Sequence, residues 1–187
     1  MAQQVPCQCK GEVQFGTWVS LPYNFLPTEA PLPHEWPDRY QTKRTQEKLG
    51  ALLITESGFL AVEERLKALI EALEPGVHDF RPIRIVTPRG TDHPAAYHVL
   101  RIGNFRDSFR PDLTDSTAIF GAPDIYTAHA TRKHYAKVAM SLEAIGGAHL
   151  WRERTLTEPS IRLSDKLQDA IAMKGLRLMK HWKMKSV

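Results

Sequence analysis

The segment FLAVEERLKALI, residues 59–70, decides the fold, because an apolar run passes directly into a helical pattern. The same succession returns as IRLSDKLQDAI at residues 161–171, with an acid, a base and a leucine in the same order. The match extends upstream, where GALLITE at residues 50–56 corresponds to GAHLWRE at residues 147–153. A repeat of this size is typical of a duplicated structural unit. We therefore predict that the strands and helix of one half recur in the other.

The first predicted helix runs from Glu64 to Leu73. Its apolar residues recur at i, i+3, i+4 and i+7, which places one apolar stripe on the helix. They are Leu66, Leu69, Ile70 and Leu73. Pro75 and Gly76 follow, and this pair of residues is expected to end the helix.

The second predicted helix runs from Asp165 to Lys174. Ser164 suits the N-cap position, and Asp165 suits the positive first turn. The apolar stripe is repeated by Leu167, Ala170 and Ile171. Gly175 is placed to take the left-handed position that follows the helix.

Residues 80–86 and 97–102 alternate as strands do, and the turn-forming residues 88–94 are expected to join them as a hairpin. Pro82 is tolerable in a strand only near an edge or near the strand's start. Residues 103–124 are polar and predict a long irregular loop, which is often functional.

The segment 128–145 fits both a helical and a strand template. We predict a short helix near Ala130 that gives way to a strand from Lys137 to Leu142.

Together these elements predict an α+β fold, since strands dominate and no regular strand-helix alternation indicates a wound parallel sheet. We expect two pseudo-equivalent halves of antiparallel or mixed strands, residues 11–102 and 103–187, each with one packing helix. The halves are expected to form one compact unit and to meet along their apolar stripes. Residues 1–10 are expected to be a disordered N-terminus. The prolines of residues 22–40 predict an extended, Pro-rich arm that lies on the body of the protein.

The chain has 187 residues, of which 42% are apolar, and its net charge is +4. Positive charge is concentrated in Lys43, Arg44 and the C-terminal segment. Such a concentration suits binding to nucleic acid or to an acidic protein surface, and it also suits a basic tail that is simply solvated. Cys7 and Cys9 are too close and too few for a disulfide framework, so we interpret them as reduced thiols. The sequence shows neither a membrane span nor a signal peptide, so we expect a cytoplasmic protein without membrane contact.

Sequence motifs for catalysis, metal binding or cofactor binding are missing, so we expect no catalytic residue, no metal and no cofactor. His129 and His134 are five residues apart, which places their rings about 140° apart on a helix. His149 precedes an apparent strand and is interpreted as a hydrogen-bonded core or edge residue. The run Arg152-Glu153-Arg154 fits both an ion-paired strand end and a cationic fork for a partner's carboxylate.

Five segments, in this order, resemble a known family. They are EERLK at residues 63–67, FRPI at 80–83, YHVL at 97–100, AHLWR at 148–152 and IRLSDKL at 161–167. The resemblance is to a bacterial immunity family, the eleventh of the numbered polymorphic-toxin immunity families, first described from a myxobacterial member.

The resemblance runs from about Gly50 to the C-terminus and leaves the Pro-rich arm uncovered. Glu63 stands where the family usually shows serine, and residues 179–181 lack the Phe-x-Pro of residues 80–82. The family has no catalytic residues to transfer. The resemblance therefore implies an inhibitor of a co-encoded toxin, one half of an effector-immunity pair in interbacterial competition, and it names no contact residue.

The first hypothesis is thus an immunity protein that binds and neutralises a toxin domain in the cytoplasm by occluding its active site or substrate path. The alternative is a small enzyme with a site in residues 103–134, using His129 or His134 as the base. A nucleic-acid binder is disfavoured, because the basic C-terminus lacks interleaved aromatic residues apart from Trp182. The oligomeric state is left open.

Toxin contacts are expected from the loop and from the arm. The candidates are Arg106, Asp107, Phe109, Arg110, Asp112 and Asp115 in the loop, with Trp36, Arg39 and Tyr40 in the arm. Since aromatic and arginine side chains are common hot spots, we expect Phe109→Ala with Arg110→Ala to weaken toxin binding at least about tenfold without lowering the melting temperature by more than a few degrees. The net positive charge favours a target other than a strongly basic nuclease, unless the aspartates of the loop, including Asp124, form a local acidic patch.

Overall fold

The computed structural model describes residues 9–11, 36–42, 49–55, 59–122, 125–129, 131–158 and 161–187. Most of the Pro-rich arm lies outside these residues, as do Cys7, Lys43, Arg44 and Asp124. The described chain begins with a strand at Cys9, which takes in the last two residues of the segment that was expected to be disordered.

Four helices occur in the described part of the chain: α1 (Glu64–Leu73), α2 (Arg132–Tyr135), α3 (Leu142–Ile145) and α4 (Asp165–Met173). Two short 3-10 turns cover Pro111–Leu113 and Ser116–Ala118. The strands are β1 (Cys9–Gly11), β2 (Arg39–Thr42), β3 (Leu52–Ile54), β4 (Leu60–Glu63), β5 (Asp79–Val86), β6 (Tyr97–Arg101), β7 (Phe105–Arg106), β8 (Ile119–Ala122), β9 (Ile125–Ala128), β10 (Ala139–Met140), β11 (Leu150–Glu153), β12 (Leu156–Glu158), β13 (Arg162–Leu163) and β14 (Lys185–Ser186).

The largest sheet has six strands in the order β1-β2-β5-β6-β4-β3, and it mixes parallel and antiparallel pairs. Smaller sheets have the orders β13-β11-β7, β12-β9-β8 and β10-β14. Mixed sheets with few helices confirm the predicted α+β fold. The β5–β6 hairpin is also confirmed. Pro82 is tolerated because β5 pairs only with β6 at that position, and pairing with β2 begins at Arg84.

Helices α1 and α4 pack into the same hydrophobic core. Their buried stripe residues are Leu66 and Ile70 on α1 and Leu167 and Ile171 on α4. The predicted cap of α4 is confirmed, since the Ser164 hydroxyl accepts a hydrogen bond from the backbone N–H of Leu167. Gly175 has a φ of +62°, the left-handed conformation expected after the helix. The two helices that the sequence repeat relates, α1 and α4, therefore bury their apolar stripes in the same core.

The segments leading into α1 and α4 also correspond in detail. Leu52 pairs with Val62 in an antiparallel register, and Leu150 pairs with Leu163 in the same way. The N–H of Glu63 donates to the carbonyl of Ala51 at 2.8 Å, as the N–H of Ser164 does to that of His149 at 2.9 Å. Leu52 thus corresponds to Leu150 in the structure. The alignment of residues 50–56 with residues 147–153 had paired Leu52 with His149, so the two differ by one residue. The two units differ in one respect: β4 is the inner strand in the first, whereas β11 is the inner strand in the second.

The prediction of a long irregular loop over residues 103–124 is wrong for its described part. This segment forms β7, two 3-10 turns and β8, and β8 pairs with β9 as a hairpin. Together with α2 and β10 it encloses a second hydrophobic core. The members of that core are Phe109, Ala118, Ala128, Tyr135, Val138, Met140 and Leu156. The strands were missed because they are too short to show alternation.

Over residues 131–145 the structure has a short helix followed by a strand, as predicted. The helix is α2, but the strand β10 is only two residues long and the chain then enters α3. Ser141 caps α3, since its hydroxyl accepts from the N–H of Ala144. The C-terminal part therefore has more than the one packing helix that was expected.

Candidate functional site

The candidate contact residues in the arm lie on the six-stranded sheet. Tyr40 has an exposed fraction of 0% and belongs to the core beneath β2, so its side chain cannot meet a partner at the surface and the expectation is wrong for this residue. Trp36 and Arg39 are half-buried. The Trp36 ring packs against Phe59, with centroids 6.2 Å apart, and the Arg81 guanidinium lies 5.8 Å from its centroid. Trp36 and Tyr40 thus hold the described end of the arm against the sheet.

Phe109 is also a core residue rather than a surface one. Only 5% of its surface is exposed, and its ring meets the Tyr126 ring edge to face at 5.4 Å. Strand β10 fixes the backbone here, because Phe109 forms a bridge to Met140. The expectation that Phe109 contacts a partner is therefore wrong, since burial removes it from the accessible surface.

We accordingly expect Phe109→Ala to lower the free energy of unfolding by about 3 kcal/mol, because it leaves a cavity in the second core. Urea denaturation followed by circular dichroism measures this loss. The exposed Phe120→Ala is the matched control and should change the free energy of unfolding by less than about 1 kcal/mol. Equal losses in the two variants would contradict the assignment of Phe109 to the core.

The charged candidates remain at the surface, but most have partners within the chain. Arg110 pairs with Asp112 at 2.7 Å, Asp115 pairs with Lys137, and Asp107 pairs with Arg154 at 2.6 Å. The Asp107–Arg154 pair agrees with an ion-paired strand end, one of the two interpretations of the run Arg152-Glu153-Arg154.

These pairs also set the ionisation of the loop carboxylates. The hydrogen bond from Arg110 lowers the pKa of Asp112, and hydrogen bonds from Lys137 and Thr117 lower the pKa of Asp115. Arg106 is half-buried, and its Nε donates to the carbonyl of Ile145 at 3.1 Å. Because Asp107, Asp112 and Asp115 each lie against a cation, the described part of the segment presents no uncompensated acidic patch, and Asp124 lies outside the described residues.

Sequence reasoning missed a buried carboxylate at the end of α1. Glu74 accepts four hydrogen bonds: from the backbone N–H groups of His149 and Leu150 at 2.9 Å each, from Asn104 Nδ2 at 2.6 Å and from His78 Nε2 at 2.8 Å. These donors come from three separate stretches of chain. Glu74 therefore ties the end of α1 to the start of β11.

A second buried carboxylate lies at the other end of β11. Glu153 accepts from the N–H groups of Ser108 and Phe109 at 2.9 and 3.1 Å, from the Ser108 hydroxyl, and from the Trp151 indole N–H at 2.8 Å. Its burial again depends on complete hydrogen bonding. Two acids thus anchor the two ends of one strand.

Neither acid is arranged for proton transfer. Four donors occupy the oxygens of each carboxylate, so no position is left for a substrate proton. The N–H of Gly103 donates to His78 Nδ1 at 3.2 Å, which assigns the His78 proton to Nε2 and directs it at Glu74. His149 likewise is hydrogen-bonded, with Nδ1 2.8 Å from the Ser164 hydroxyl, as expected. These polar groups serve the fold.

The prediction that His129 and His134 lie on different faces of a helix is wrong. His129 precedes α2, and the two ring centroids are 5.0 Å apart. His134 Nδ1 lies 2.9 Å from the Thr131 hydroxyl. Neither imidazole is paired with a carboxylate among the residues that the structure describes, so the enzyme alternative gains no acid-base constellation from this pair.

Two further properties bear on function. Within the described ranges, no three histidine, cysteine, aspartate or glutamate side chains come together as metal ligands would. Of the helices described, none has the length and apolar character needed to cross a membrane.

The outer side of the β8–β9 hairpin is a surface that sequence reasoning did not identify. Phe120 and Ile125 point outward, with exposed fractions of 53% and 60%. The Phe120 ring lies against the His129 ring, with centroids 4.9 Å apart and planes tilted by 40°, and the His129 ring lies against that of His134 in a similar way. We call this surface, formed by Phe120, Ile125 and His129 with the α2 residues Arg132, Lys133 and His134, the hairpin face. Its only signal in the sequence was the aromatic residue at position 120.

Comparison with known proteins gives one family. Residues 5–186 match the model of the Immunity protein family (Imm11), so the match includes the Pro-rich arm that the resemblance left uncovered. No curated protein sequence is significantly similar to the chain. Because the match spans nearly the whole sequence, this chain belongs to the Imm11 immunity protein family.

Proposed function

We propose that this protein binds a toxin domain encoded beside it and neutralises that toxin in the bacterial cytoplasm by covering its active site or substrate path. The family match over residues 5–186 is the observation that carries this proposal, since an immunity role requires binding to a toxin. Inhibition by occlusion needs a complementary surface of about 1,200–2,000 Å² in total and no catalytic group.

The described polar groups agree with a binding protein. Glu74 and Glu153 are buried and fully engaged in holding β11. Acids used in this way stabilise a scaffold, and they leave the surface to provide the function. The protein is accordingly proposed to have no turnover of its own.

Co-expression tests this function. A strain that produces the neighbouring toxin domain should stop growing, and production of this protein in the same cells should restore growth. The control is the same protein carrying Glu74→Ala, whose fold is expected to be weakened and which should protect less well. If the intact protein fails to protect, and no complex appears on gel filtration of the two purified proteins, the proposed function is wrong.

A further inference from the structure

The hairpin face has exposed apolar side chains on the β8–β9 hairpin and exposed cationic side chains on α2, the helix that follows β9 in the chain. Strand alternation explains its apolar part: Ile119, Tyr126 and Ala128 face the second core, whereas Phe120 and Ile125 face outward. Single exposed apolar residues are common on proteins. Here one of the two, Phe120, begins a row of three rings in contact, in which His129 lies between Phe120 and His134.

The charged part of the face lacks internal compensation. Arg132 and Lys133 are exposed on α2, in the same helical turn as His134. Neither has an acidic partner within the described part of the chain. Some exposed cations elsewhere in the molecule differ in this respect, since Arg84, Arg110 and Arg154 are each paired with an aspartate. The two cations of the hairpin face are therefore available to a carboxylate from outside.

The face is also held in place by the fold. Strand β9 pairs with β8 on one side and β12 on the other, and the N–H of Tyr126 donates to the carbonyl of Thr155 at 2.7 Å. The N–H of His129 donates to the carbonyl of Ala118 at 2.9 Å, and the Thr131 side chain caps α2. A partner would therefore bind a preformed surface and would not have to order it, which lowers the entropic cost of binding.

We propose that the hairpin face is the toxin-binding surface, and that it meets an acidic region of the toxin that bears an apolar pocket for Phe120 and Ile125. This inference rests on the proposed immunity function. Aromatic and arginine side chains at the centre of an interface are the usual hot spots. Charge complementarity assigns the acidic character, because Arg132 and Lys133 bring to the face two positive charges that have no acidic partner among the described residues.

The test is the affinity of the purified full-length protein for the toxin domain that protects on co-expression, measured by calorimetry. Phe120→Ser with Ile125→Ser, and separately Arg132→Glu with Lys133→Glu, should each weaken binding by about a hundredfold or more, since each removes two central contacts. The charge-reversed variant should also lose the salt dependence of the association rate.

Matched controls exist on another part of the surface. Met173→Ser removes an apolar side chain that is 82% exposed, and Lys174→Glu with Arg177→Glu changes the net charge by the same amount as the α2 variant. Both controls should bind within about threefold of the wild type. All variants should melt within a few degrees of the wild type, since every substituted side chain is exposed.

The outcomes separate this inference from the proposed function. If the wild type binds the toxin and all variants of the hairpin face bind equally well, the inference is wrong and the immunity function stands. If the wild type binds no toxin, both are wrong. If Arg132→Glu with Lys133→Glu abolishes binding to a single-stranded oligonucleotide while leaving the toxin affinity unchanged, the face binds nucleic acid and the inference is overturned.

Discussion

Glu74→Ala should lower the free energy of unfolding by about 4 kcal/mol or more, one of the two largest effects expected for a single change in this chain. The substitution leaves the buried N–H groups of His149 and Leu150 without an acceptor, and it removes the partners of Asn104 and His78. Each buried donor left unsatisfied costs about 1–3 kcal/mol, and local relaxation recovers part of the total. Urea denaturation followed by circular dichroism measures the loss.

Glu71→Ala is the control for this change. Glu71 lies on the same helix, one turn earlier, and its exposed carboxylate pairs with Lys67 at 2.7 Å. A surface pair of this kind contributes only about 0.3–0.5 kcal/mol. A loss below about 1 kcal/mol for Glu74→Ala would show that the carboxylate does not hold α1 to β11.

Glu153→Ala should cost a similar amount, about 4 kcal/mol, because it removes the acceptor for the backbone N–H groups of Ser108 and Phe109 and for the Trp151 indole. The effect has a local signature. Amide hydrogen exchange at Ser108 and Phe109 should become at least about tenfold faster, since these groups lose their acceptor.

The matched control for Glu153 is Glu143→Ala on α3, an exposed acid in the same part of the molecule. It should change stability by less than about 0.5 kcal/mol and leave hydrogen exchange at Ser108 unaltered. Unchanged exchange at both amides in Glu153→Ala would refute the anchoring role of that carboxylate.

Local signals explain why the two long helices could be predicted. The stripe, the cap and the glycine stop all lie within about twelve residues of each other, so the pattern that specifies each helix is contained in one short segment of sequence. The helix from Glu64 to Leu73 was predicted with its observed bounds, and the second helix begins at Asp165 as expected. The β5–β6 hairpin was predictable for the same reason.

The anchoring carboxylates could not be predicted, because their partners are far away in sequence. Asn104 lies 30 residues from Glu74, and His149 and Leu150 lie 75 and 76 residues from it. In the sequence, Glu74 is an ordinary acid at the end of a helix, a position that the helix dipole disfavours. Only the tertiary fold supplies the donors that make its burial tolerable.

Phe109 and Phe120 show the same limit for the functional surface. Both are aromatic residues in one polar segment, and the sequence offered no basis for choosing between them. The register of β8 and β9 turns Phe120 outward, whereas the bridge to Met140 holds Phe109 in the core. Sequence reasoning selected Phe109 as a contact, whereas the fold buries Phe109 and leaves Phe120 exposed.

The most direct test of the immunity function is calorimetric titration of this protein with the purified toxin domain encoded beside it, made catalytically inactive by substitution. We predict a one-to-one complex with a Kd of about 10 nM or tighter, as expected for a specific interface of standard size. The absence of both heat and complex at micromolar concentrations of the two folded proteins would contradict the function proposed for this chain.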